Sequence, residues 1–371
     1  MIKSIEIKGL HNKWDHTIRF HDDISLLTGR NGAGKTAVIK LAWYLMSGNI
    51  ERTIREVNFT YAKVTTDRCI VSVKCDGLEA TSKITIEADF FGRQKDMSLE
   101  LQRQEWSARS GEIDVFNRNV AKTTGSSLFF PTFRRIEGGF STSQDLLHPR
   151  RMRAVHDLTH ALENYVESMS VFDHHFVATL STHDVHALLT EKFADASRKT
   201  DEIHRNLYTE LKSRIEAFSA KQIGKKPSPG GYKKALAELK AVLEEAEVKR
   251  TAVLERFNQL SRIIQSIFTH KGIQLTNTIT FGDPINAVRS DLLSAGEKQF
   301  LSFLCYNAFL TDSVVIIDEP EISLHPDWQR RLIPTLKSQN SANQFILTTH
   351  SPFIYSKYPE REICLSDDKG E

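Results

Sequence analysis

The segment that most constrains the fold is the glycine-rich run Gly29-Arg30-Asn31-Gly32-Ala33-Gly34-Lys35-Thr36. It fits the pattern G-x-x-x-x-G-K-[ST], with a strand-like apolar run before it (Ile24–Thr28) and a helical pattern after it (Lys35–Met46). Glycines at this spacing let backbone N–H groups wrap phosphates at a helix N-terminus. We therefore expect all eight residues to bind a triphosphate, with Lys35 at the β- and γ-phosphates and the Thr36 hydroxyl on Mg²⁺. A chance glycine-rich turn is disfavoured by the strand and helix on either side.

A second apolar run, Ser313–Ile317, ends in Asp318 and Glu319. A carboxylate at the tip of a buried strand can bind the Mg²⁺ that accompanies a nucleotide, so Asp318 and Thr36 are the predicted metal ligands. Glu319 is placed to orient or deprotonate the attacking water, which makes it a predicted catalytic residue. Taken alone, such a strand end is a moderate signal, and the cap of a following helix is the alternative.

The segment Leu292–Gln299 begins a predicted helix shortly before that strand, with Ser294, Gly296 and Glu297 in its first turn. Serine and glycine at a helix N-terminus form a second anion site, separate from the first. An ordinary helix cap is the alternative for this octapeptide by itself. Because the Asp-Glu strand follows it, the segment resembles the LSGG-type signature of ABC-class ATPases.

Two further segments follow in the order of that class. Ile322–Pro326 resembles its D-loop, and His350, after the apolar run Gln344–Thr348, resembles the switch histidine that senses the γ-phosphate. The resemblance implies an α/β fold, an ABC-type P-loop ATPase head with a mixed sheet and an antiparallel sub-sheet. It also implies ATP and Mg²⁺ as cofactors and His350 as a second catalytic residue.

The family's arrangement further implies that two heads sandwich ATP. Ser294, Gly296 and Glu297 of one head would then face the phosphates that Lys35 of the other head holds. The expected assembly is a homodimer or a higher even-numbered oligomer.

The middle of the chain has a different pattern, in which apolar residues step by four and three along one predicted helix. This seam runs through Tyr232, Leu236, Leu239, Leu243, Ala246, Arg250, Val253, Phe257, Leu260, Ile264 and Ile267. A looser apolar stripe lies upstream (193–218), and the turn-rich segment 224–231 separates the two. We expect a helical hairpin packed antiparallel as a short coiled coil, with two ordinary bundle helices as the alternative.

These patterns predict three domains. Residues 1–150 form the N-terminal lobe of the head with the P-loop, and 151–280 a helical region with the hairpin arm. Residues 281–371 form the C-terminal lobe with the signature, the Asp-Glu strand and the switch histidine. Short β-like runs between Cys69 and Leu101 predict the antiparallel sub-sheet.

The inserted arm resembles the RecF, SMC and OLD branch of the class. Within that branch, Phe129–Glu137 is similar to a segment of anti-phage defence ATPases, including PtuA of Septu and Septu-type retron systems. This implies a slow ATPase that dimerises through ATP and regulates a separately encoded nuclease, expected to be of the HNH type. A reverse transcriptase and its nucleic acid are further candidate partners. A RecF/SMC-like DNA repair or chromosome ATPase and a non-hydrolysing, ATP-bound scaffold remain open as alternatives.

The chain departs from the family pattern in two places. No Q-loop glutamine can be assigned, and Gln102 and Gln104 are candidates only by position. OLD-type proteins continue into a nuclease after the switch histidine, whereas no acidic nuclease constellation is visible here, so any cleavage is expected to belong to a partner.

Composition adds mainly exclusions. With 40% hydrophobic and 26% charged residues, the chain is globular rather than disordered. The first residues, Met1–Glu6, resemble a strand rather than a signal peptide, and no long uncharged apolar stretch predicts a membrane span, so a cytoplasmic protein is expected. The net charge of +2 gives no indication for or against nucleic acid.

Two local clusters are weaker signals. Lys221, Lys225, Lys226, Arg134 and Arg135 could contact nucleic-acid phosphates, although a hydrated loop explains the lysines better. Six histidines lie between residues 156 and 186, and some have helical spacing that suits a metal, but a solvated face is the favoured interpretation.

Overall fold

The computed structural model describes residues 1–77, 79–92, 95–132, 135–136, 164–180, 182–221, 229–267, 293–339 and 342–366. The chain divides into two compact units. One comprises Met1–Ser181, Leu293–Phe303 and Leu310–Glu371, and the other comprises Thr182–Leu292 and Leu304–Phe309. The predicted division into three domains stays a prediction, because its boundaries at 150 and 280 lie outside the described residues.

The described strands and helices include a strand, Ile24–Thr28, that leads through the glycine-rich loop into a helix, Lys35–Ser47. In chain order the strands are β1 (Ile2–Leu10), β2 (Trp14–Arg19), β3 (Ile24–Thr28), β4 (Tyr61–Thr66), β5 (Cys69–Cys75), β6 (Lys83–Phe90), β7 (Met97–Gln102), β8 (Ser127–Phe130), β9 (Arg135–Ile136), β10 (His174–Phe176), β11 (Thr179–Leu180), β12 (Val314–Asp318), β13 (Gln344–Thr348) and β14 (Glu362–Cys364). The α-helices are α1 (Lys35–Ser47), α2 (Ile50–Glu56), α3 (Ser110–Thr124), α4 (Thr182–Lys221), α5 (Pro229–Ile267), α6 (Ala295–Ala308), α7 (Pro326–Ser338) and α8 (Pro352–Tyr355). None of the described helices is long and apolar enough to cross a lipid bilayer.

The first unit contains a parallel sheet with the strand order β10-β8-β12-β13-β3-β14. Every residue of β3, β8, β12 and β13 is buried, as expected for strands covered on both faces. Asp318 lies opposite Thr348, and Thr348 lies opposite Leu27. The segments that follow β3, β12 and β13 therefore emerge at one edge of the sheet.

An antiparallel sheet with the order β2-β1-β4-β5-β6-β7 forms a second layer of this unit. The predicted sub-sheet between Cys69 and Leu101 is confirmed as β5, β6 and β7, and β1, β2 and β4 extend it. Helix α1 contacts β1, β4 and β5 of this sheet and β12 and β13 of the parallel sheet. Ten of its 13 residues are buried, because a helix between two sheets has little face left for water. The predicted mixed α/β fold with an antiparallel sub-sheet and an inserted helical hairpin is confirmed.

The second unit contains the predicted hairpin, formed by α4 and α5. The two helices run antiparallel, since Phe193 near the start of α4 contacts Phe257 near the end of α5, with ring centroids 5.9 Å apart. The predicted seam is correct at Phe257, Leu260 and Ile264, which are buried.

Towards the tip of the hairpin, the predicted seam is wrong at two of its positions. Leu236 and Leu243 are 70% and 48% exposed, whereas their neighbour Val242 is buried. A strict heptad assumes 3.5 residues per turn, but a straight α-helix has 3.6 and drifts by about 20° per heptad. The contact face therefore moves to the next residue over a few turns.

We expect the distal arm to be dispensable for the fold of the head. Replacing residues 203–250 by a short Gly/Ser linker removes mainly contacts between α4 and α5 and keeps the Phe193–Phe257 contact at the base. The shortened protein should be soluble, should bind an ATP analogue and should keep the near-UV circular dichroism of the head. Insoluble protein from several linker lengths would instead show that the arm helices complete the core of the head.

Candidate functional site

The loop between β3 and α1 has the backbone that its glycines predict. Gly29, Gly32 and Gly34 have φ values of 137°, 84° and 87°, in a region that residues with side chains rarely adopt. At Gly34, the N-cap of α1, an added Cβ would lie 2.8 Å from Leu10 Cδ2, whereas at Gly32 it would meet nothing within 4 Å. The loop is thus closely packed beneath Gly34 and open at Gly32. It ends at a helix N-terminus, where free N–H groups and the helix dipole favour an anion.

The other residues of the loop divide into an exposed tip and a buried base. Arg30 and Asn31 are exposed, while Ala33 and Lys35 are buried. Lys35 Nζ donates to the carbonyl oxygens of Gly29 (2.8 Å) and Arg30 (3.1 Å). Burial lowers the pKa of Lys35, and the carboxylates of Glu319, Glu321 and Asp318 oppose that shift. The ammonium group is therefore held, poorly hydrated, at the position where phosphates are expected.

The carboxylate of Asp318, at the end of β12, is fully buried and accepts hydrogen bonds from three threonine hydroxyls. Thr36 donates to Oδ1 at 3.2 Å, Thr348 also donates to Oδ1, and Thr132 donates to Oδ2. Carboxylate and hydroxyl oxygens are the ligands that Mg²⁺ prefers. The side chains of Thr36 and Asp318 fit the predicted metal site, because their oxygens already lie together beside the phosphate-binding loop.

Thr132 was missed by the sequence interpretation. It follows β8, which pairs in parallel with β12, so the two strands end at the same sheet edge. The Q-loop candidates do not lie there: Gln102 and Gln104 are exposed at the outer edge of the antiparallel sheet and hydrogen-bond to each other at 2.7 Å. Thr132 lies within the segment Phe129–Glu137 that carries the resemblance to defence ATPases, which was the only sequence signal for it.

Glu319 and His350 lie beside each other on the two strand ends next to Asp318. The Glu319 N–H donates to the Thr348 carbonyl (3.2 Å) and hydroxyl (3.0 Å) oxygens. His350 Nε2 is 3.9 Å from Glu319 Oε1, too far for a hydrogen bond. Burial and the nearby Lys35 lower the pKa of His350, against the opposing effect of Glu321. The imidazole is therefore neutral near pH 7, and the pair is not a salt bridge there.

Two atoms of this group, His350 Nε2 and Glu321 Oε2, are buried without a hydrogen-bond partner in the described part of the chain. Leaving a polar group unsatisfied in this way costs about 1–3 kcal/mol. A water or metal ion beside the phosphates would satisfy the Glu321 oxygen, which only accepts hydrogen bonds, and a phosphate oxygen or a water would satisfy the His350 nitrogen. Together with the open glycine loop and the oxygen-rich carboxylate site, they fit a bound nucleotide with its metal.

The predicted signature residues form a helix cap at the start of α6. The Ser294 N–H (2.7 Å) and hydroxyl (2.8 Å) both donate to Glu297 Oε2, and the Glu297 N–H donates back to the Ser294 hydroxyl (3.4 Å). This reciprocal arrangement is a capping box. Gly296 is required for a close approach, because an added Cβ would lie 2.2 Å from the Ser323 carbonyl oxygen. Binding of phosphate by Ser294, Gly296 and Glu297 stays a prediction.

The weaker sequence clusters contribute no site among the described residues. His174 is buried and hydrogen-bonds to Ser127 through Nδ1 (2.7 Å), and burial lowers its pKa to about 4, so it belongs to the core and not to a solvated face. The described residues contain no group of three or more potential ligands that could hold a metal. Of the predicted basic contacts, Arg134, Lys225 and Lys226 lie outside the described residues.

Sequence comparison finds matches over parts of the chain. A protein family described as "AAA domain, putative AbiEii toxin, Type IV TA system" matches residues 187–356, a stretch that includes the signature segment, Asp318, Glu319 and His350 but begins after the P-loop. The chain is 34% identical over 86 residues to "Retron Ec83 probable ATPase" of Escherichia coli, covering 20% of this chain and 16% of that protein. It is 28% identical over 124 residues to "Septu protein PtuA" of Bacillus mycoides (strain KBAB4), covering 30% and 18%.

A third relative, "Retron Vc95 probable ATPase" of Vibrio cholerae, is 34% identical over 55 residues, covering 15% of this chain and 11% of that protein. The chain thus spans less than a fifth of the length of these relatives. Among solved structures, an Smc head domain with an extended coiled coil bound to the C-terminal domain of ScpA, from Pyrococcus furiosus, aligns with a TM-score of 0.38 at 16% identity, covering 100% of this chain and 94% of that one. An SmcHead bound to the C-winged helix domain of ScpA aligns with a TM-score of 0.42 at 13% identity, covering 100% and 95%.

Over part of its length, the chain is similar to two proteins named as probable ATPases of retrons and to a Septu protein, which confirms the resemblance that the sequence predicted.

We expect Thr132→Val to weaken metal-dependent nucleotide binding. Valine keeps the shape of threonine but removes the hydroxyl that donates to Asp318 Oδ2, and losing a partner of a metal-binding carboxylate typically costs about tenfold or more in metal affinity. Binding of Mn²⁺ to the nucleotide-loaded protein, followed by electron paramagnetic resonance, measures this directly. Thr335→Val on α7, which removes an exposed hydroxyl that donates to the Arg331 carbonyl oxygen, is the matched control. Equal Mn²⁺ affinity in both variants would exclude a role of Thr132 at the metal site.

Proposed function

We propose that this chain is the ATP-binding and ATP-hydrolysing subunit of a bacterial anti-phage defence system. Two copies would pair around ATP and regulate a separately encoded effector, expected to be an HNH-type nuclease, in the cytoplasm. ATP hydrolysis is supported by one observation above all: at one edge of the parallel sheet, the P-loop lies together with Asp318, Glu319 and His350. The defence role rests on the names of the Septu and retron relatives, and a reverse transcriptase with its nucleic acid is a further candidate partner.

The positions of the side chains support a separate role for each residue in hydrolysis. Lys35 and the N–H groups of the P-loop bind the phosphates, and Thr36 and Asp318 hold Mg²⁺, which when bound offsets the negative charge of the phosphates. Glu319 accepts a proton from the attacking water or orients it. Neutral His350 has one N–H, which can donate to the γ-phosphate. His350 Nε2 lies 3.9 Å from Glu319 Oε1, so the two side chains can face the same water.

Two aromatic side chains on β2 support a nucleotide rather than a simple polyphosphate. Trp14 and His16 stack with ring centroids 6.4 Å apart and an interplanar angle of 16°, and Trp14 is 39% exposed. His16 Nε2 lies 4.0 Å from the position of a Cβ added at Gly34, which places this pair beside the P-loop. A planar aromatic surface next to the phosphate site suits a stacked base.

The experiment that separates an ATPase from a non-hydrolysing scaffold is Glu319→Gln. The amide keeps the shape of the side chain but cannot accept the proton of the water, so hydrolysis should fall by about 100-fold or more while ATP affinity is retained. Single-turnover hydrolysis of radiolabelled ATP and equilibrium binding of a fluorescent ATP analogue measure the two effects. Glu360→Gln, at an exposed position in the turn Pro359–Arg361, is the matched control. A wild-type protein that binds ATP without hydrolysing it would favour the scaffold.

A mixture of two inactive variants tests the shared site. Lys35→Ala removes the phosphate-binding cation, and Ser294→Arg places bulk and positive charge at the signature segment. In the proposed dimer, a heterodimer of the two keeps one composite site with an intact P-loop facing an intact signature, while the other site is doubly defective. It should recover up to about half of the wild-type ATPase activity, which neither variant has alone. No recovery in heterodimers verified by native mass spectrometry would contradict a site shared between two copies.

A further inference from the structure

The loop after Asp318 is tightly folded. Glu319 and Ser323 have left-handed backbones, with φ values of 47° and 72°. The Ile322 N–H donates to the Glu319 carbonyl oxygen at 3.2 Å, and the Leu324 N–H donates to the Glu321 carbonyl oxygen at 3.0 Å. Non-glycine residues keep such backbones only where their surroundings enforce them. The loop, residues 319–324, therefore has a single defined shape.

Helix α6 holds this loop on one side. The buried side chain of Gln299 donates through Nε2 to the Pro320 carbonyl oxygen at 2.9 Å. One turn earlier, Gly296 approaches the Ser323 carbonyl so closely that a Cβ would lie 2.2 Å from its oxygen. The loop therefore cannot shift away from its position without breaking contacts with the signature helix.

Helix α7 connects the other end of the loop to the segment that carries His350. Gln329 donates through Nε2 to the Leu324 carbonyl oxygen at 2.7 Å, and its Oε1 accepts from the Ser351 hydroxyl at 2.5 Å. Gln329 is buried, so both hydrogen bonds are shielded from water. The loop and residue 351 are thus held at a fixed separation.

Glu321 extends from this fixed loop to the backbone of His350. Its Oε1 accepts from the His350 N–H at 2.6 Å, a short, charge-assisted hydrogen bond. Its Oε2 is buried and has no partner among the described residues. This second oxygen can accept from a water of the nucleotide site, so the side chain does more than tie two loops together.

We propose that Glu321 is a positioning residue of the ATPase site: by holding the His350 N–H from the loop 319–324, it sets the direction of the imidazole relative to Glu319 and the γ-phosphate. It acts through His350 and not by binding the nucleotide. The geometry gives one measurable consequence. The property that matters is the reach of the side chain at position 321, meaning a length that places an acceptor oxygen at the His350 N–H, and not its negative charge.

Three substitutions separate reach from charge. Glu321→Gln keeps an acceptor oxygen at the same distance but removes the charge, Glu321→Asp keeps the charge but is shorter by one methylene, and Glu321→Ala removes both. Because misplacing a catalytic group by about 1 Å can cost up to about 100-fold in rate, kcat should fall about 10- to 100-fold in the Asp and Ala variants. The Gln variant should stay within about threefold of the wild type. KM for ATP should change little in all three, since Lys35 and the P-loop are intact. Glu360→Ala is the exposed control.

A second measurement does not depend on hydrolysis and keeps this inference separate from the proposed function on which it rests. The rate at which diethyl pyrocarbonate modifies His350, read by peptide mass spectrometry, reports how firmly the ring is held. It should rise in the Asp and Ala variants and stay at the wild-type rate in the Gln variant. A wild-type protein without ATPase activity would refute the proposed function but leave this test in place.

The inference is overturned if the Asp and Ala variants keep wild-type kcat and wild-type His350 reactivity. It is also overturned if KM rises while kcat is unchanged, because Glu321 would then bind the nucleotide. If kcat of the Gln variant fell as far as kcat of the Asp variant, the negative charge of Glu321 would be the property that matters, and positioning by reach would be refuted. If the Ala variant does not fold, the comparison of Asp with Gln, at matched melting temperatures, decides the question.

Discussion

The buried carboxylate of Asp318 is the interaction on which the rest of the head depends. Three hydroxyls donate to it, from α1, from the segment after β8 and from β13, so four stretches of the chain that are distant in sequence meet at one group. A carboxylate without such partners would be expensive to bury. Because these hydrogen bonds can form only when the strand ends are level, they stabilise the same register of the sheet that brings Glu319 and His350 together.

Features set by local backbone chemistry could be predicted from the sequence. The glycines of the P-loop need positive φ values, and runs of apolar residues gave the bounds of β3 and β13 as they occur. Thr132 could not be found in this way. Thr132 lies beside Asp318 because β8 is the neighbour of β12 in the sheet. The sequence shows two apolar runs there, but it does not show which strands are neighbours.

The arm shows a second limit, which concerns periodicity. Near the base of the arm, a heptad spacing and the spacing of a straight helix place the same residues of α5 against α4. Phe257, Leu260 and Ile264 are buried there, as predicted. Further along, the two spacings diverge by a residue, and Val242 is buried in place of Leu243. Because both residues are apolar, hydrophobicity alone cannot decide between them, and only the packing of α5 against α4 does.

The cap of α6 bears on how a second copy would complete the site. In the single chain, Glu297 accepts from the N–H and hydroxyl of Ser294, so the helix end already has an anion of its own. In the proposed dimer a γ-phosphate from the other copy would have to compete with this carboxylate for the same donors. A phosphate carries more charge and more acceptor oxygens than a carboxylate, so a phosphate held rigidly by a P-loop can displace Glu297 from these donors. A freely diffusing anion would in addition lose its translational and rotational freedom on binding, which disfavours it. The capping box would thus keep the Ser294 donors occupied, and the two copies apart, until a partner presents bound ATP.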